Sequence, residues 1–300
     1  MLQISNLTKK YKRNLALDDV TFGLGQGVCG LVGENGAGKS TIMKILTRQV
    51  RQDKGNIVYD GKAWSDKNKA KVGYLPQQFE FFGNLTVWES LVYLLHVRGI
   101  GIRDENQQIA KWLDYLNLSK DAGKKIKELS GGMKQRLGIA QAFLGEPDII
   151  LLDEPTVGLD PHERLAFRNM VNEVGDDKII LISTHILDDV ESACERMVSL
   201  QSGKVTYAGS VDGFIQDDKN VVYSILIPRD KLAEIGKEVS IISIKRDRGN
   251  LVIRFSVNNA ELCRSKPLYR NGSLKKEKKS LEDAYIHHTS YSFRRHDNGS

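Results

Sequence analysis

Gly33-Glu34-Asn35-Gly36-Ala37-Gly38-Lys39-Ser40-Thr41 follows directly on the apolar run Val28-Cys29-Gly30-Leu31-Val32. The stretch matches G-x-x-x-x-G-K-[ST], a strand-to-helix loop that cradles phosphate. Its glycines let the backbone curl until several N–H groups point at one anion. Lys39 can then reach the β and γ phosphates of a nucleotide, and Ser40 can ligate Mg²⁺. The near-continuous apolar run before it is the pattern of a central strand buried on both faces, and a helix over Lys39–Arg48 is expected after it.

Working outward, alternation predicts strands at Leu2–Leu7 and Asp19–Leu24, and Asp60-Gly61 predicts a hairpin turn after Gly55–Tyr59. Val72–Leu75 reads as a short strand ending at Pro76. From Thr86 the period turns helical: Thr86 and Glu89 have capping-box spacing, and Ile109, Trp112, Leu113 and Leu116 define a second helix. A helical insert of about 84–145 therefore interrupts an α/β core, which resumes with parallel strands at Ile149–Leu152 and Lys178–Ser183. Beyond residue 215 strands are expected at Val221–Ile227, Val239–Ile244 and Leu251–Val257 and a short helix at Asp230–Ile235, making a small α/β module over 216–300 whose polar end, from His287, is frayed.

The run Ile149–Leu152 ends in Asp153-Glu154, at the strand edge where open α/β sheets bind ligands. Adjacent acids on a strand point apart and take different roles. Asp153 is placed to hold the Mg²⁺ shell and Glu154 to polarise an attacking water, which favours hydrolysis over phosphoryl transfer to a metabolite. A second helix N-terminus suited to phosphate begins at Ser130-Gly131-Gly132, ahead of a helix over Met133–Phe143.

Leu129-Ser130-Gly131-Gly132-Met133-Lys134-Gln135-Arg136 resembles the signature segment of ATP-binding cassette (ABC) ATPases. The resemblance covers residues 1 to about 210 and implies a P-loop NTPase core with a mostly parallel sheet, an antiparallel β subdomain and a helical insert. It also implies two chains paired head-to-tail around ATP and Mg²⁺, each offering Ser130, Gly131, Gly132 and Asp160 to the nucleotide on the other's P-loop. Tyr11 resembles the aromatic that stacks on adenine, Gln77 the glutamine that touches metal and water, and His185 the switch histidine. Gly158-Leu159-Asp160-Pro161 resembles the loop that crosses to the partner. Met133 and Val157-Gly158 depart from the glutamine and serine-alanine that many members carry there.

With 40% hydrophobic and 27% charged residues, and no apolar run long enough to span a bilayer, the chain reads as a cytosolic globular protein. The partner implied by the resemblance is a separate membrane permease, docking near Gln77–Trp88, where Phe79, Phe81, Phe82 and Trp88 cluster; core packing is the competing reading for Phe79 and Trp88. Localisation would then be peripheral, on the cytosolic face of the membrane. Ser280-Leu281-Glu282-Asp283-Ala284-Tyr285-Ile286 resembles the ending of cassettes that serve ABC-2 type exporters of antibiotics, peptides or lipids. An importer, or a soluble cassette acting on DNA or ribosomes, is the alternative. The whole net charge of +6 falls in residues 216–300, with 17 Lys+Arg against 11 Asp+Glu. Such an excess reads as a solvated face, with nucleic-acid or anionic-lipid contact as rivals and no nucleic-acid partner expected. Cys29, Cys194 and Cys263 lack metal-ligand spacing and read as reduced thiols.

Overall fold

A computed structural model of the 300-residue chain describes residues 1–65, 72–99, 104–235, 239–258 and 274–288; Cys263 and residues 289–300, the greater part of the expected frayed end, lie outside these. Two compact units emerge, Met1–Ser210 and Val211–Ser300. The first runs β1 (Leu2–Tyr11), β2 (Asn14–Leu24), β3 (Gly27–Val32), α1 (Lys39–Leu46), β4 (Lys54–Tyr59), β5 (Lys62–Ala63) and β6 (Val72–Leu75). Next come α2 (Val87–Val97), α3 (Glu105–Tyr115), α4 (Gly131–Phe143), β7 (Ile149–Asp153) and α5 (Pro161–Val174). It closes with β8 (Ile179–Thr184), α6 (Leu187–Ala193), β9 (Arg196–Gln201) and β10 (Lys204–Ser210).

β3 lies in the middle of a six-stranded sheet of order β10-β9-β3-β8-β7-β6, in which every pairing except β10 with β9 is parallel. Strands buried on both faces need continuous apolar sequence, and all five residues of β7 and all six of β8 are buried. A second, antiparallel sheet of order β2-β1-β4-β5 covers one side, and Leu2, Ile4, Leu7, Val20 and Leu24 join Leu31, Ile42, Met43, Leu151 and Leu181 in one apolar cluster. The fold is thus a P-loop NTPase α/β core with an antiparallel β subdomain.

Between β6 and β7 stand α2, α3 and α4. Thr86 and Glu89 form the expected capping box, the Thr86 hydroxyl accepting the Glu89 N–H at 3.1 Å. α4 starts at Gly131 rather than Met133 because Ser130 Oγ accepts the Met133 N–H at 3.2 Å and draws both glycines into the first turn. α1 stops at Leu46, short of Arg48, where the backbone turns left-handed at φ 61°. No helix among the described residues is long and apolar enough to cross a membrane.

The second unit runs α7 (Val211–Asp217), β11 (Val221–Pro228), β12 (Ser240–Asp247), β13 (Asn250–Val257), β14 (Lys275–Lys276) and α8 (Leu281–His288). Its antiparallel sheet has the order β12-β13-β11-β14, with an apolar cluster of Ile225, Ile227, Leu251, Ile253, Phe255 and Val257. The short helix expected at Asp230–Ile235 is a 3₁₀ segment, Arg229–Glu234, too short a run to sustain an α-helix. α7 belongs to this unit, so the division falls before residue 216.

The insert is pressed hard onto the core. A Cβ at Gly73 on β6 would lie 1.7 Å from the Ala142 carbonyl oxygen of α4, and one at Gly138 on α4 would lie 2.4 Å from Phe79. We expect Gly73→Ala to cost about 2–3 kcal/mol, the scale of overpacking a close backbone contact. A lowered urea midpoint at unchanged m-value checks it; an unshifted midpoint would show that β6 and α4 part freely.

Candidate active site

The parallel strands end at one edge, and the loops leaving that edge build the site. β3 delivers the 33–41 loop, β6 delivers Gln77, β7 delivers Asp153 and Glu154, and β8 delivers His185. Tyr11, Asn35, Gly36, Gly38, Lys39, Ser40, Thr41, Gln77, Asp153 and Glu154 line one cavity of about 360 Å³, together with Asn14 and Ala16. That volume lies in the range of small-ligand sites. Gly38 has φ 111°, and a Cβ there would meet Leu17 at 2.7 Å and the Ala16 oxygen at 2.8 Å, so only glycine fits beneath β2.

Gly33, Glu34 and Ala37 shape the loop rather than line the cavity. Lys39 Nζ donates to the Gly33 carbonyl at 2.5 Å and to the Glu34 carbonyl at 3.1 Å, and the Ala37 N–H closes a turn on Glu34 at 3.1 Å. Burial lowers the Lys39 pKa, and the charges of Glu154, Asp153 and Glu34 oppose that shift. A buried ammonium that donates to two neutral carbonyls is well matched to a phosphate, which would replace weak acceptors by charged ones.

Asp153 and Glu154 are both buried and face different neighbours. Asp153 closes β7, and together with burial its charge pushes the Tyr74 phenol up to about 12, burial being the larger cause. Glu154 turns left-handed at φ 54°, with its N–H on the Ser183 carbonyl at 2.8 Å. A non-glycine residue held there stores about 1–3 kcal/mol, which the surroundings must impose. His185 Nδ1 lies 3.0 Å from both Glu154 oxygens. A carboxylate oxygen accepts, so Nδ1 is the donor in this contact. His185 is itself half exposed while Glu154 is buried, so the pair bridges the cavity wall to solvent.

Ser40, Gln77 and Asp153 offer hydroxyl, amide and carboxylate oxygens, a hard donor set that suits Mg²⁺ completed by phosphate and water.

Ser130, Gly131, Gly132 and Asp160 are not among the residues that line the cavity. They meet elsewhere. Ser130, Gly131, Val157, Gly158 and Asp160 are all exposed, and a Cβ at Gly132 would lie 3.4 Å from the Gly158 carbonyl oxygen. The signature segment and the crossing loop therefore share one face.

The aromatic residues after Gln77 divide. Phe79 packs on Phe81, edge to face at 5.5 Å, and against Gly138, whereas Phe82 is 63% exposed and pairs with exposed Tyr93 at 5.5 Å.

The chain matches the ABC transporter family model over residues 17–157. It is 34% identical to the lantibiotic transport ATP-binding protein SrtF of Streptococcus pyogenes, over 71% of this chain and 92% of that protein. The chain belongs to the ABC transporter ATP-binding family. The Nod factor export ATP-binding protein I of Burkholderia orbicola is 32% identical over 80% of this chain and 83% of its own length. Among solved structures, the dimeric post-hydrolysis cassette MJ0796 bound to ADP and Pi superimposes with TM-score 0.62 and 26% identity, over 70% of this chain and 98% of that one. As a family member the protein is an ATPase.

Sequence reasoning passed over several side chains that hold this site together. Gln135 Nε2 donates to the Pro155 carbonyl at 3.0 Å and the Glu154 carbonyl at 3.4 Å, tying α4 to the loop behind the carboxylates. Thr156 donates to Asp189 at 2.5 Å, and Arg168 donates to the other Asp189 oxygen at 2.7 and 3.2 Å and to Asp188 at 2.5 Å. One buried carboxylate thus joins the segment after Glu154 to the helix after His185. Asp189→Asn removes the buried one of the two carboxylates paired with Arg168, leaving Asp188, and should cost about 1.5–3 kcal/mol, the scale of a hydrogen bond to a charged group. Denaturant unfolding checks this; a loss below about 0.5 kcal/mol would assign the pair to the solvated surface.

Proposed function

We propose that this chain is the ATP-hydrolysing subunit of an exporter, pairing head-to-tail with a second copy or a homologous cassette and driving a separate membrane permease. One observation carries the reading. The phosphate-ready N-terminus of α4 and the exposed Asp160 share a face apart from the cavity holding Lys39, Ser40, Asp153 and Glu154. A single chain therefore offers two half-sites, and a two-fold pairing joins each to its complement. The dimeric MJ0796 cassette supports the pairing, and the relative named for Nod factor export supports the direction.

In this reading Tyr11 stacks on the adenine and the N–H groups of residues 33–41 bind the phosphates with Lys39. Mg²⁺, held by Ser40, Gln77 and Asp153, would neutralise charge on the β and γ phosphates. Glu154 accepts a proton from the attacking water; Gln77 orients that water, and His185 steadies Glu154 and reads the γ-phosphate. Ser130, Gly131, Gly132 and Asp160 of the partner close the site, so ATP binding draws the two chains together and hydrolysis releases them. The permease docks where exposed Phe82 and Tyr93 stand beside the Gln77 segment, keeping the chain on the cytosolic face of the membrane. Residues 211–300 serve as a basic accessory module.

Glu154→Gln preserves shape and removes the base. It should lower steady hydrolysis by about a hundredfold or more while ATP stays bound and the dimer persists in size-exclusion chromatography. Rapid turnover in this variant would remove Glu154 from the mechanism. Lys39→Ala should instead weaken nucleotide binding to the monomer by about tenfold or more, through loss of a charge-assisted phosphate contact. Fluorescent-nucleotide titration reads this directly, and an unchanged Kd would refute it.

A further inference from the structure

Glu163, in the first turn of α5, touches the cap of its own helix and two residues of α4. Its Oε2 accepts the Asp160 N–H at 3.1 Å while its own N–H donates to Asp160 Oδ1 at 2.8 Å, a complete capping box. Its Oε1 lies 3.0 Å from Arg136 Nε on α4; the contact is an ion pair, because that N–H is not aligned for a hydrogen bond. A Cβ at Gly132 would lie 3.1 Å from Glu163 Oε2 and 3.4 Å from the Gly158 carbonyl oxygen, so the carboxylate packs closely on the second signature glycine. Arg136 continues the chain of contacts, donating from Nη1 to the Leu116 and Asn117 carbonyls at 2.7 and 3.0 Å beyond the end of α3.

These contacts lock the N-termini of α4 and α5 into one block. An isolated pair of helix N-termini would drift by the freedom of the loops before them, and misplacing phosphate donors by about 1 Å can cost a hundredfold in rate. Both Glu163 and Arg136 are largely buried, where an ion pair serves to specify one arrangement more than to add stability. Arg136 also offsets the negative charge that Glu163 places beneath a helix terminus suited to phosphate.

We infer that Glu163 is a positioning residue for the half-site that this chain presents to its partner's ATP: through Arg136, Gly132 and Asp160 it holds the signature segment and the crossing loop in register. The inference rests on the head-to-tail reading above, and it makes Glu163 act in trans.

Complementation between full-length variants separates the two. Glu163→Ala should lower kcat by about tenfold or more and leave nucleotide binding to the monomer within about twofold, because the cavity's own lining is intact. Glu163→Gln, which keeps shape and a capping acceptor, guards against misfolding and should lose activity in the same direction. Mixed in equal amounts with Glu154→Gln before nucleotide is added, each Glu163 variant should regain up to about a quarter of the wild-type rate, since half the random dimers carry one intact composite site. Asp189→Asn, whose contacts lie behind its own Glu154 and His185, should gain nothing from the same mixing. Ser130→Arg is the control. If Ser130→Arg with Glu154→Gln stays inactive, the head-to-tail reading falls and the inference with it. If that pair recovers but the Glu163 variants do not, or if Glu163 variants alone keep the wild-type rate, the inference alone is overturned.

Discussion

The parallel register of β3, β8, β7 and β6 is the constraint on which the rest depends. Four consecutive neighbours running the same way put four loops at one edge, and nothing shorter than whole crossover connections could bring Lys39, His185, Glu154 and Gln77 together. β8 lies between the phosphate loop and the carboxylates, so it sets their separation and supplies the His185 contact to Glu154. A polar substitution inside β7 or β8 would therefore act on catalysis through the sheet, although neither strand's interior touches the cavity.

Much of this was readable because its causes are local. Val28–Val32, the Thr86 and Glu89 capping box and the Asp60-Gly61 turn carry their structural reason within a few residues, and the loop over 33–41 carries its chemistry in the same way. The strands β1 and β2 run further than alternation suggests because register shifts and left-handed residues at Asn6 and Asp19 break the period without ending the pairing. Side chains that act across long sequence distances left no such mark. Asp189 is one acid among several in Asp188-Asp189-Val190-Glu191, and only the tertiary fold shows that it alone is buried, against Thr156 and Arg168.

α5 emerges as a crossbar. Asp160 and Glu163 at its N-terminus belong to the exposed face, while Arg168, farther along, reaches Asp188 and Asp189 behind His185. Between these two ends the helix buries Phe167, Met170 and Val171. A shift of His185 toward a nucleotide would be felt through α6 by the same helix that presents Asp160. Gln135 makes a second, shorter link from the signature helix to the Glu154 backbone. In the proposed pairing, α5 and Gln135 thus connect the residues of the two half-sites within one chain.

The second unit carries an arrangement that geometry alone would misassign. Ser256 Oγ is hydrogen-bonded to His287 Nε2, and His287 Nδ1 lies 2.8 Å from Asp218, the order of a nucleophile, a base and its orienting acid. Ser256, however, is 2% exposed on β13, a central strand, and a nucleophile must reach a carbonyl. Lys279 also binds Asp218 and the Asn220 carbonyl, and Arg254 grips Asp283 at 2.6 and 2.7 Å while Ser280 donates to the same carboxylate. The contacts of His287, Lys279 and Arg254 fasten α8 and the segment before it to the sheet or to the loop after α7, and Ser280 caps α8. The residues of Ser280–Ile286 that resemble exporter cassettes are therefore ones this unit needs for its own packing. The case for export stands on the cassette and its relatives.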